Sequence, residues 1–258
     1  MSALLKIIGC RAGSPMKGNP ASGYLLKTPK GTILIDCGSG VLANLDDEDF
    51  DNLIGVVITH IHADHCLDLM ALAYRKVFPS LSKRIPLYGP PSVAGLIASY
   101  DALFGIRTLP TMGTPIATAF EFKPVVPGTR FTVADTWSFD TIAMIHPVET
   151  IALRSVEFNF IYTADGAFVD AFLDFCQGCR TLLSEATYPD EDGHDLMEHG
   201  HMTAPICARL ATNSGAANLI VTHLSDPADS GITMERIHQE FAGAIYLAYP
   251  GLAIELEQ

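Results

Sequence analysis

The chain has 258 residues, of which 48% are apolar and 17% are charged, so the composition excludes a disordered protein and is ample for a large hydrophobic core. No apolar run approaches the roughly 18 residues that a membrane span requires, so no membrane partner is expected. Lys and Arg total 16 against 29 Asp and Glu, and the resulting net charge of −13 repels polyanions unless a local basic patch is present.

The cysteines and the N-terminus predict a reducing compartment. Six cysteines form no dense framework, and residues 1–10 are too short and too strand-like for a signal peptide. We therefore expect a cytoplasmic protein. Cys176 and Cys179 form a C-x-x-C pair, but no second pair lies at zinc-finger spacing, so we interpret them as ordinary thiols.

The first half of the chain predicts strands around a Gly- and Pro-rich loop. In order, we expect a strand at 4–8, the loop at 9–20, a hairpin of strands at 22–28 and 32–35, a short helix ending near the acidic run 46–51, a buried strand at 54–58 and a helix at 67–78.

The second half repeats the pattern of strands followed by helices. In order, we expect a strand at 85–88, a helix at 92–104, strands with turns across 116–160, a helix at 169–175, a strand at 181–184, a helix at 203–213, a strand at 219–222, a helix at 232–241 and a strand at 252–256. Strands in two groups, each followed by helices, favour two sheets packed face to face with helices outside. No repeat or long linker divides the chain, so we expect one domain over residues 1–258.

A dense group of ligand-type side chains follows the buried strand at 54–58. His60, His62, Asp64 and His65 lie within six positions. In an extended strand end His60 and His62 point the same way, and the turn can bring the other two close. Imidazole and carboxylate bind Zn²⁺, Mn²⁺ or Fe²⁺. A solvated loop is the alternative, but the density of donors favours a metal site.

Three later donors stand where apolar strands stop. His146 follows residues 141–145, Asp165 follows 160–163 and His223 follows 219–222. The ends of strands are where sheet folds carry their chemistry. Taken alone, each of these residues is better explained as a capping residue or as a structural residue whose hydrogen bonds are satisfied.

The motif His60-x-His62-x-Asp64-His65 resembles the signature of the metallo-β-lactamase-fold hydrolases, and the three later donors match that family's later metal motifs in order and context. The resemblance implies an α/β (α+β) fold, a four-layer αββα sandwich of two mixed β-sheets flanked by helices. It also implies two divalent ions, Zn²⁺ or Mn²⁺, with Fe²⁺ as a further candidate. Asp36, in an Asp-x-Gly turn, would support the His-rich loop, and a plain turn residue is the alternative.

The resemblance also assigns the donors. By this likeness, one ion is held by His60, His62 and His146, the second by Asp64, His65 and His223, and Asp165 bridges them. Two ions can share a water, lower its pKa and stabilise the charge that develops in a displacement. The resemblance implies a catalytic role for Asp64 as well, because its carboxylate could accept a hydrogen bond from that hydroxide and direct it.

A further pair of motifs resembles the phosphodiesterase branch of that family, which includes ribonuclease Z and related cyclic-nucleotide phosphodiesterases. In that branch a Glu orients a His, and Glu185 and His201 match these positions. A phosphodiester alkoxide leaves poorly until it is protonated, and His201 would be the general acid that supplies the proton. The alternative is that His201 merely precedes a Thr-capped helix, with His194 and His199 close by.

The expected substrate is a small phosphodiester such as a 3′,5′-cyclic nucleotide, attacked by the hydroxide between the metals. The gaps from His146 to Asp165 and from Asp165 to Glu185 are too short for the tRNA-gripping arm of ribonuclease Z, and the chain is acidic, so nucleic acid is not the expected partner. The resemblance suggests a homodimer. Arg11, Lys17 and Asn19 are candidate phosphate contacts or ordinary turn residues.

Three alternatives stay open. The first is a tRNA 3′-processing endonuclease like ribonuclease Z. The second is a thioester or lactone hydrolase that uses the same metals and leaves Glu185 and His201 without a role. The third is a sensor that binds a nucleotide without turning it over.

Overall fold

Two β-sheets form the central layers of the protein. The computed structural model describes residues 3–80, 83–135, 137–191, 193 and 195–257, and within them each sheet has seven strands. The first sheet consists of β1 (Ala3–Gly9), β2 (Gly23–Thr28), β3 (Gly31–Ile35), β4 (Leu53–Val57), β5 (Ile85–Gly89), β6 (Phe120–Pro124) and β14 (Ala253–Leu256). Its order is β14-β1-β2-β3-β4-β5-β6, antiparallel from β14 to β3 and parallel from β3 to β6.

The second sheet is mixed in the same way. Its strands are β7 (Arg130–Val133), β8 (Trp137–Ala143), β9 (Ile151–Ser155), β10 (Phe160–Tyr162), β11 (Thr181–Glu185), β12 (Asn218–Thr222) and β13 (Ala244–Leu247). Their order is β13-β12-β11-β10-β9-β8-β7, parallel from β13 to β10 and antiparallel from β10 to β7.

Helices connect the strands and cover the outer faces of both sheets. They are α1 (Val41–Asn44), α2 (Asp47–Asp51), α3 (Ala63–Cys66), α4 (Leu69–Val77), α5 (Val93–Phe104), α6 (Pro115–Ala119), α7 (Asp170–Cys176), α8 (Leu196–His199), α9 (Ala204–Ser214) and α10 (Ser230–Glu240), with 3₁₀ turns at Pro110–Met112 and Pro227–Asp229. In the described part of the chain, none of these helices has the length and apolar character needed to span a bilayer.

Adjacent residues of one strand pack into different hydrophobic cores, because side chains alternate between the two faces of a sheet. Val57 of β4 packs between the two sheets, whereas Val56 packs against the helices outside the first sheet. In β11, Leu183 faces the core between the sheets and Leu182 faces the helices outside the second. Three apolar layers between four layers of structure confirm the predicted αββα sandwich.

One short helix replaces the start of a predicted strand region. Residues 115–119 form α6, directly before β6. The buried carboxylate of Asp101, on α5, accepts hydrogen bonds from Ile116 N at 2.8 Å and Ala117 N at 3.0 Å. These are amides of the first helical turn, which have no partner inside a helix. Because the partner comes from another helix, the local sequence pattern carries no sign of it.

Two differences concern the second sheet. The strand predicted at 141–145 ends at Ala143, so His146 lies in a turn in which Met144 N donates to Thr150 O at 3.0 Å. Strand β13 was not predicted, because it is short, pairs only through one parallel neighbour in the described chain and is half exposed at the edge of the sheet. Neither difference changes the edge of the sandwich at which the predicted metal ligands lie.

Candidate active site

The His-rich motif lies in the connection after β4. His60 and His62 have left the strand, and the extended backbone of His62 (φ −66°, ψ 149°) leads into the single turn of α3, which carries Asp64 and His65. His60 and His65 are completely buried and Asp64 is 8% exposed. The turn therefore packs four donors against the carboxyl end of a core strand.

The first group of donors combines residues from two separate loops. His146 Nε2 lies 2.9 Å from His62 Nδ1. The donor atoms of His60, His62 and His146 all fall within 4.8 Å of one another, a spacing that one cation can fill. Nothing in the local sequence joins His146 to the first loop, so the sandwich itself makes this contact.

The second group forms around the residue that follows β12. His223 Nε2 is 3.3 Å from His65 Nε2 and 3.2 Å from Asp64 Oδ2. Asp165 lies between the groups, with Oδ2 at 3.2 Å from His223 Nε2, 3.3 Å from His65 Nε2 and 3.7 Å from His60 Nε2. The structure thus brings together all seven residues that the sequence nominated as metal ligands, with Asp165 at the centre.

Several features of this cluster fit divalent cations. Among the described residues, the buried atoms His60 Nε2 and Asp165 Oδ1 have no hydrogen-bond partner. Burial lowers the pKa of His60 and His146, which keeps both imidazoles neutral and able to donate a lone pair. Burial opposes the charge of Asp165, but His223 and His65 hold its pKa well below its usual range. Neutral imidazoles such as those of His60 and His146, together with an ionised carboxylate, are donors that Zn²⁺ and Mn²⁺ accept.

Asp36 fixes the orientation of the His65 ring. Its Oδ2 accepts a hydrogen bond from His65 Nδ1 at 2.8 Å and another from the hydroxyl of Tyr162 at 3.0 Å, while Oδ1 accepts from Thr59 N at 2.8 Å. Burial alone would lower the pKa of His65, but the charges of Asp165 and Asp36 outweigh it and raise that pKa well above its usual range. A bound cation would displace the proton of Nε2, and the proton left on Nδ1 would keep the Nε2 lone pair facing the cluster. The supporting contact expected for Asp36 is present.

Three residues at the site have a left-handed backbone that is rare outside glycine. Asp36 has φ 59°, Ala164 has φ 51° and His223 has φ 60°. Such conformations cost free energy and persist where packing imposes them. Here they turn the chain sharply at the ends of β3, β10 and β12, which aims Asp36, Asp165 and His223 into the same space.

Glu185 and His201 form a carboxylate–imidazole pair beside the donors. His201 Nδ1 lies 3.1 Å from Glu185 Oε2, and the carboxylate also accepts from Gly166 N at 2.7 Å and Met202 N at 3.2 Å. Burial opposes the imidazolium, but the charge of Glu185 outweighs it and raises the pKa of His201 to about 9. The ring of His201 stacks on that of His223 at 5.6 Å.

The structure distinguishes His201 from the two histidines that lie close to it in the sequence. His199 is exposed at the end of α8, away from the described pocket lining, and His194 lies outside the described residues. Gly200 sits between the motif residues with φ +67°, and a Cβ there would lie 2.6 Å from His146 Cα. Its carbonyl accepts from His146 Nδ1 at 2.7 Å, so the segment that carries His201 also orients His146.

A pocket of about 340 Å³ opens over the cluster. Its described lining is Ala12, Gly13, His62, Asp64, Asp165, Thr187, Tyr188, His201, His223 and Ser225. Arg11, Lys17 and Asn19 are absent from this described lining. The Arg11 guanidinium instead donates to Ser225 O at 3.2 Å. The Gly- and Pro-rich loop at 9–20 does reach the cluster of candidate metal ligands, because Gly13 N donates to Asp64 Oδ2 at 2.6 Å.

Sequence reasoning missed Gly13, Thr187 and Tyr162. Gly13 acts through its backbone amide, which has no residue-type signature. Thr187 lies two residues after Glu185 in the motif that drew attention, but a threonine after a strand is usually structural. Tyr162 ends β10, three residues before Asp165, and reads as a core residue. Only their contacts show that they belong to the site.

Comparisons with known proteins identify the family of this chain. Residues 31–224 match the family described as "Beta-lactamase superfamily domain". The Bacillus subtilis (strain 168) protein named "Probable metallo-hydrolase YhfI" is 32% identical over 226 residues, which cover 84% of this chain and 85% of that protein. "Ribonuclease Z" of Trichodesmium erythraeum (strain IMS101) is 25% identical over 306 residues, covering 98% of this chain and 95% of the relative.

A solved structure gives the same result. The crystal structure of the metallo-beta-lactamase fold protein YhfI from Bacillus subtilis matches with a TM-score of 0.84 and 26% identity, covering 98% of this chain and 99% of the other. A metallo-hydrolase family implies divalent metal ions, and the buried, unpartnered donors described above fit them. The chain therefore belongs to the beta-lactamase superfamily and is a metallo-hydrolase with the metallo-β-lactamase fold.

Proposed function

We propose that this hydrolase is a binuclear metal-dependent phosphodiesterase that acts on a small phosphodiester such as a 3′,5′-cyclic nucleotide. The observation that carries the proposal is the contact of 3.1 Å between His201 Nδ1 and Glu185 Oε2, directly beside the seven donors. A positioned imidazolium is the group that an alkoxide leaving group needs. Hydrolysis of a thioester, whose thiolate leaves readily, would give this pair no task.

Seven residues are proposed to hold the metals. His60, His62 and His146 would bind one ion and Asp64, His65 and His223 the other, with Asp165 shared. Two divalent ions, Zn²⁺ or Mn²⁺ with Fe²⁺ as a further candidate, would lower the pKa of a shared water and stabilise the developing charge.

Two side chains would move and direct protons. Asp64 would accept a hydrogen bond from the attacking water and direct it at phosphorus, and the bond that Gly13 N donates to its Oδ2 would hold the carboxylate in place. His201 would donate the proton of its other ring nitrogen, Nε2, to the departing oxygen, because Nδ1 faces Glu185. With its pKa raised to about 9, His201 is charged near neutral pH and ready to act as an acid.

The lining of the pocket favours a small substrate with a single negative charge. Its volume of about 340 Å³ lies at the lower end of small-molecule sites. No lysine or arginine is found among the described residues that line it. A polyanion such as tRNA would therefore meet no lysine or arginine among the described lining residues, and the chain as a whole carries −13. A phosphodiester of one charge can be bound by the metals and His201 alone.

A tRNA 3′-processing activity is the second candidate, because one sequence relative is named ribonuclease Z. That alignment spans 306 residues, more than the 258 of this chain, so the ribonuclease contains segments without a counterpart here. The tRNA-gripping arm that the resemblance attributes to ribonuclease Z would require such an added segment. The absence of these segments from this chain supports the small phosphodiester.

Substrate competition tests the proposal. The protein loaded with Mn²⁺ or Zn²⁺ is offered 3′,5′-cyclic nucleotides, 2′,3′-cyclic phosphates, a tRNA precursor and a thioester, and kcat/KM is measured for each. We expect a cyclic nucleotide to have the highest value. A tRNA precursor far ahead of the small diesters would favour the second candidate, and a thioester ahead of both would reject phosphodiester chemistry.

A further inference from the structure

One buried hydroxyl connects the two halves of the site. Thr187 is 5% exposed, and its Oγ1 lies 3.0 Å from His223 Nδ1. The same oxygen donates its proton to Glu185 Oε2 and lies 3.3 Å from His201 Nδ1. A single side chain therefore contacts a proposed metal ligand, the proposed general acid and the carboxylate that orients the acid.

Counting protons fixes the direction of each contact. The Thr187 hydroxyl has one proton, and it donates that proton to Glu185 Oε2. The oxygen of Thr187 can then accept a hydrogen bond from His223 Nδ1–H. With its proton on Nδ1, His223 presents the Nε2 lone pair to the cluster, where His65 Nε2 lies at 3.3 Å.

The backbone keeps this hydroxyl in place. Ser225 N donates to Thr187 O at 3.0 Å, and Ala186 N donates to Thr222 O at 3.1 Å. These two bonds flank His223 and tie its strained turn to the segment of Thr187. The hydroxyl therefore cannot drift away from His223 without breaking backbone contacts.

We propose that Thr187 is a positioning residue that couples the metal side of the site, through His223, to proton donation by the Glu185–His201 pair. The part that concerns proton donation rests on the proposed function, whereas the part that concerns His223 does not. Partners that orient a metal-binding imidazole typically affect metal affinity by about 10–100-fold. Loss of the hydroxyl should thus disturb two properties that an ordinary buried threonine would leave alone.

Matched variants separate these properties from general damage. Thr187→Val keeps the shape and removes the hydroxyl, Thr187→Ser keeps the hydroxyl, and Thr187→Ala serves if the valine variant does not fold. Thr141→Val is the control, because Thr141 is also buried and its hydroxyl donates to Thr129 O at 2.7 Å, away from the site.

The first readout needs no substrate. Release of metal from the Zn²⁺-loaded protein is measured by competition with a chelator. We expect Thr187→Val to weaken one of two bound ions by about 10–100-fold, and Thr187→Ser and Thr141→Val to resemble the unchanged protein. If Thr187→Val and the unchanged protein have equal metal affinity, Thr187 does not position His223 for metal binding and this part of the proposal is wrong.

The second readout compares two leaving groups. A cyclic nucleotide releases an alkoxide that needs a proton, while bis-p-nitrophenyl phosphate releases a phenolate that does not. Thr187→Val should lose at least about tenfold more kcat on the cyclic nucleotide than on the nitrophenyl ester, and Thr187→Ser should restore it. Equal losses on both esters would overturn the coupling to His201.

The two failures are distinguishable. If the unchanged protein cleaves neither ester while Thr187→Val still weakens one ion, the proposed function falls and the link from Thr187 to His223 is supported. If the unchanged protein cleaves both and the valine variant matches it in rate and metal affinity, the coupling falls and the phosphodiesterase remains.

Discussion

The Nδ1 atom of His201 lies 3.1 Å from the Oε2 atom of Glu185, a carboxylate that is 1% exposed and tied to the backbone by Gly166 and Met202. The contact turns Nδ1 toward the carboxylate, so a proton delivered to substrate has to leave from Nε2. The proposed general acid is thus held in one orientation before any substrate arrives. Preorganisation of this kind is what makes proton transfer effective.

Replacing His201, the proposed general acid, should lower kcat most on substrates whose leaving group needs a proton. His201→Ala is expected to lower kcat on a cyclic nucleotide by about 10²–10⁴-fold, the usual contribution of a general acid, and to affect bis-p-nitrophenyl phosphate much less. Steady-state kinetics on both esters measures the difference. His199→Ala, at the exposed end of α8, is the matched control. Equal behaviour of the two variants would remove His201 from the mechanism.

The alkaline limb of the pH profile should report Glu185. Its charge raises the pKa of His201 to about 9, so the acid form is present at lower pH and is lost as the pH rises through that value. Glu185→Gln removes the charge, and the pKa should fall toward the ordinary value for histidine. The alkaline limb of kcat/KM on a cyclic nucleotide should then move to lower pH. Glu191→Gln, at an exposed position, should leave the limb in place.

Metal stoichiometry should depend on Asp165. Its Oδ2 lies within 3.3 Å of both His65 Nε2 and His223 Nε2, and it is the donor placed between the two groups. Asp165→Asn removes the charge that offsets two cations, so we expect the purified protein to retain one ion or none where the unchanged protein retains two. Elemental analysis after dialysis measures this. Asp170→Asn, exposed at the start of α7, should keep two, and two ions in Asp165→Asn would contradict the bridging role.

A charged cluster outside the described lining of the pocket should govern stability in acid. The buried carboxylate of Asp49 contacts Lys27 Nζ at 2.5 Å and Lys6 Nζ at 3.0 Å. Burial alone would raise the pKa of Asp49, but the two lysines outweigh it and lower it. The stabilisation is therefore present above the ordinary pKa of a carboxyl group and is lost as the pH falls through the depressed value.

The corresponding variant is Asp49→Asn. It should lower the free energy of unfolding at pH 7 by about 1–3 kcal/mol, because hydrogen bonds to a charged group are lost. It should also flatten the decline of stability in acid. Urea denaturation at several pH values measures both effects. Asp46→Asn, whose side chain is 67% exposed, should cost less, and an equal cost would mean that the buried pairs do not carry the effect.

How far the sequence could predict the site depended on where each partner lies along the chain. His60, His62, Asp64 and His65 fall in one short motif, so their joint function could be inferred locally. His146 and His223 could be nominated from their positions near strand ends, but their distances of 2.9 Å and 3.3 Å to the first loop follow from the packing of two sheets. Resemblance to a family supplied what spacing alone could not.

Other features are invisible to local patterns for a physical reason. Helix α6 begins where Asp101 of α5 supplies hydrogen-bond acceptors for its first amides, and Gly13 reaches Asp64 through a backbone amide. Both contacts join residues that are distant in sequence, and neither uses a residue type that announces the role. The fold was predictable because alternating and helical apolar patterns are local, whereas these contacts depend on the finished structure.

Seven residues are proposed to converge on two cations. Crystals of the Zn²⁺- or Mn²⁺-loaded protein, measured at the absorption edge of the metal, test it directly through anomalous scattering. We predict two peaks about 3.5–4 Å apart, one beside His60, His62 and His146 and one beside Asp64, His65 and His223, with Asp165 between them. A single peak, or peaks bound away from these residues, would contradict the account.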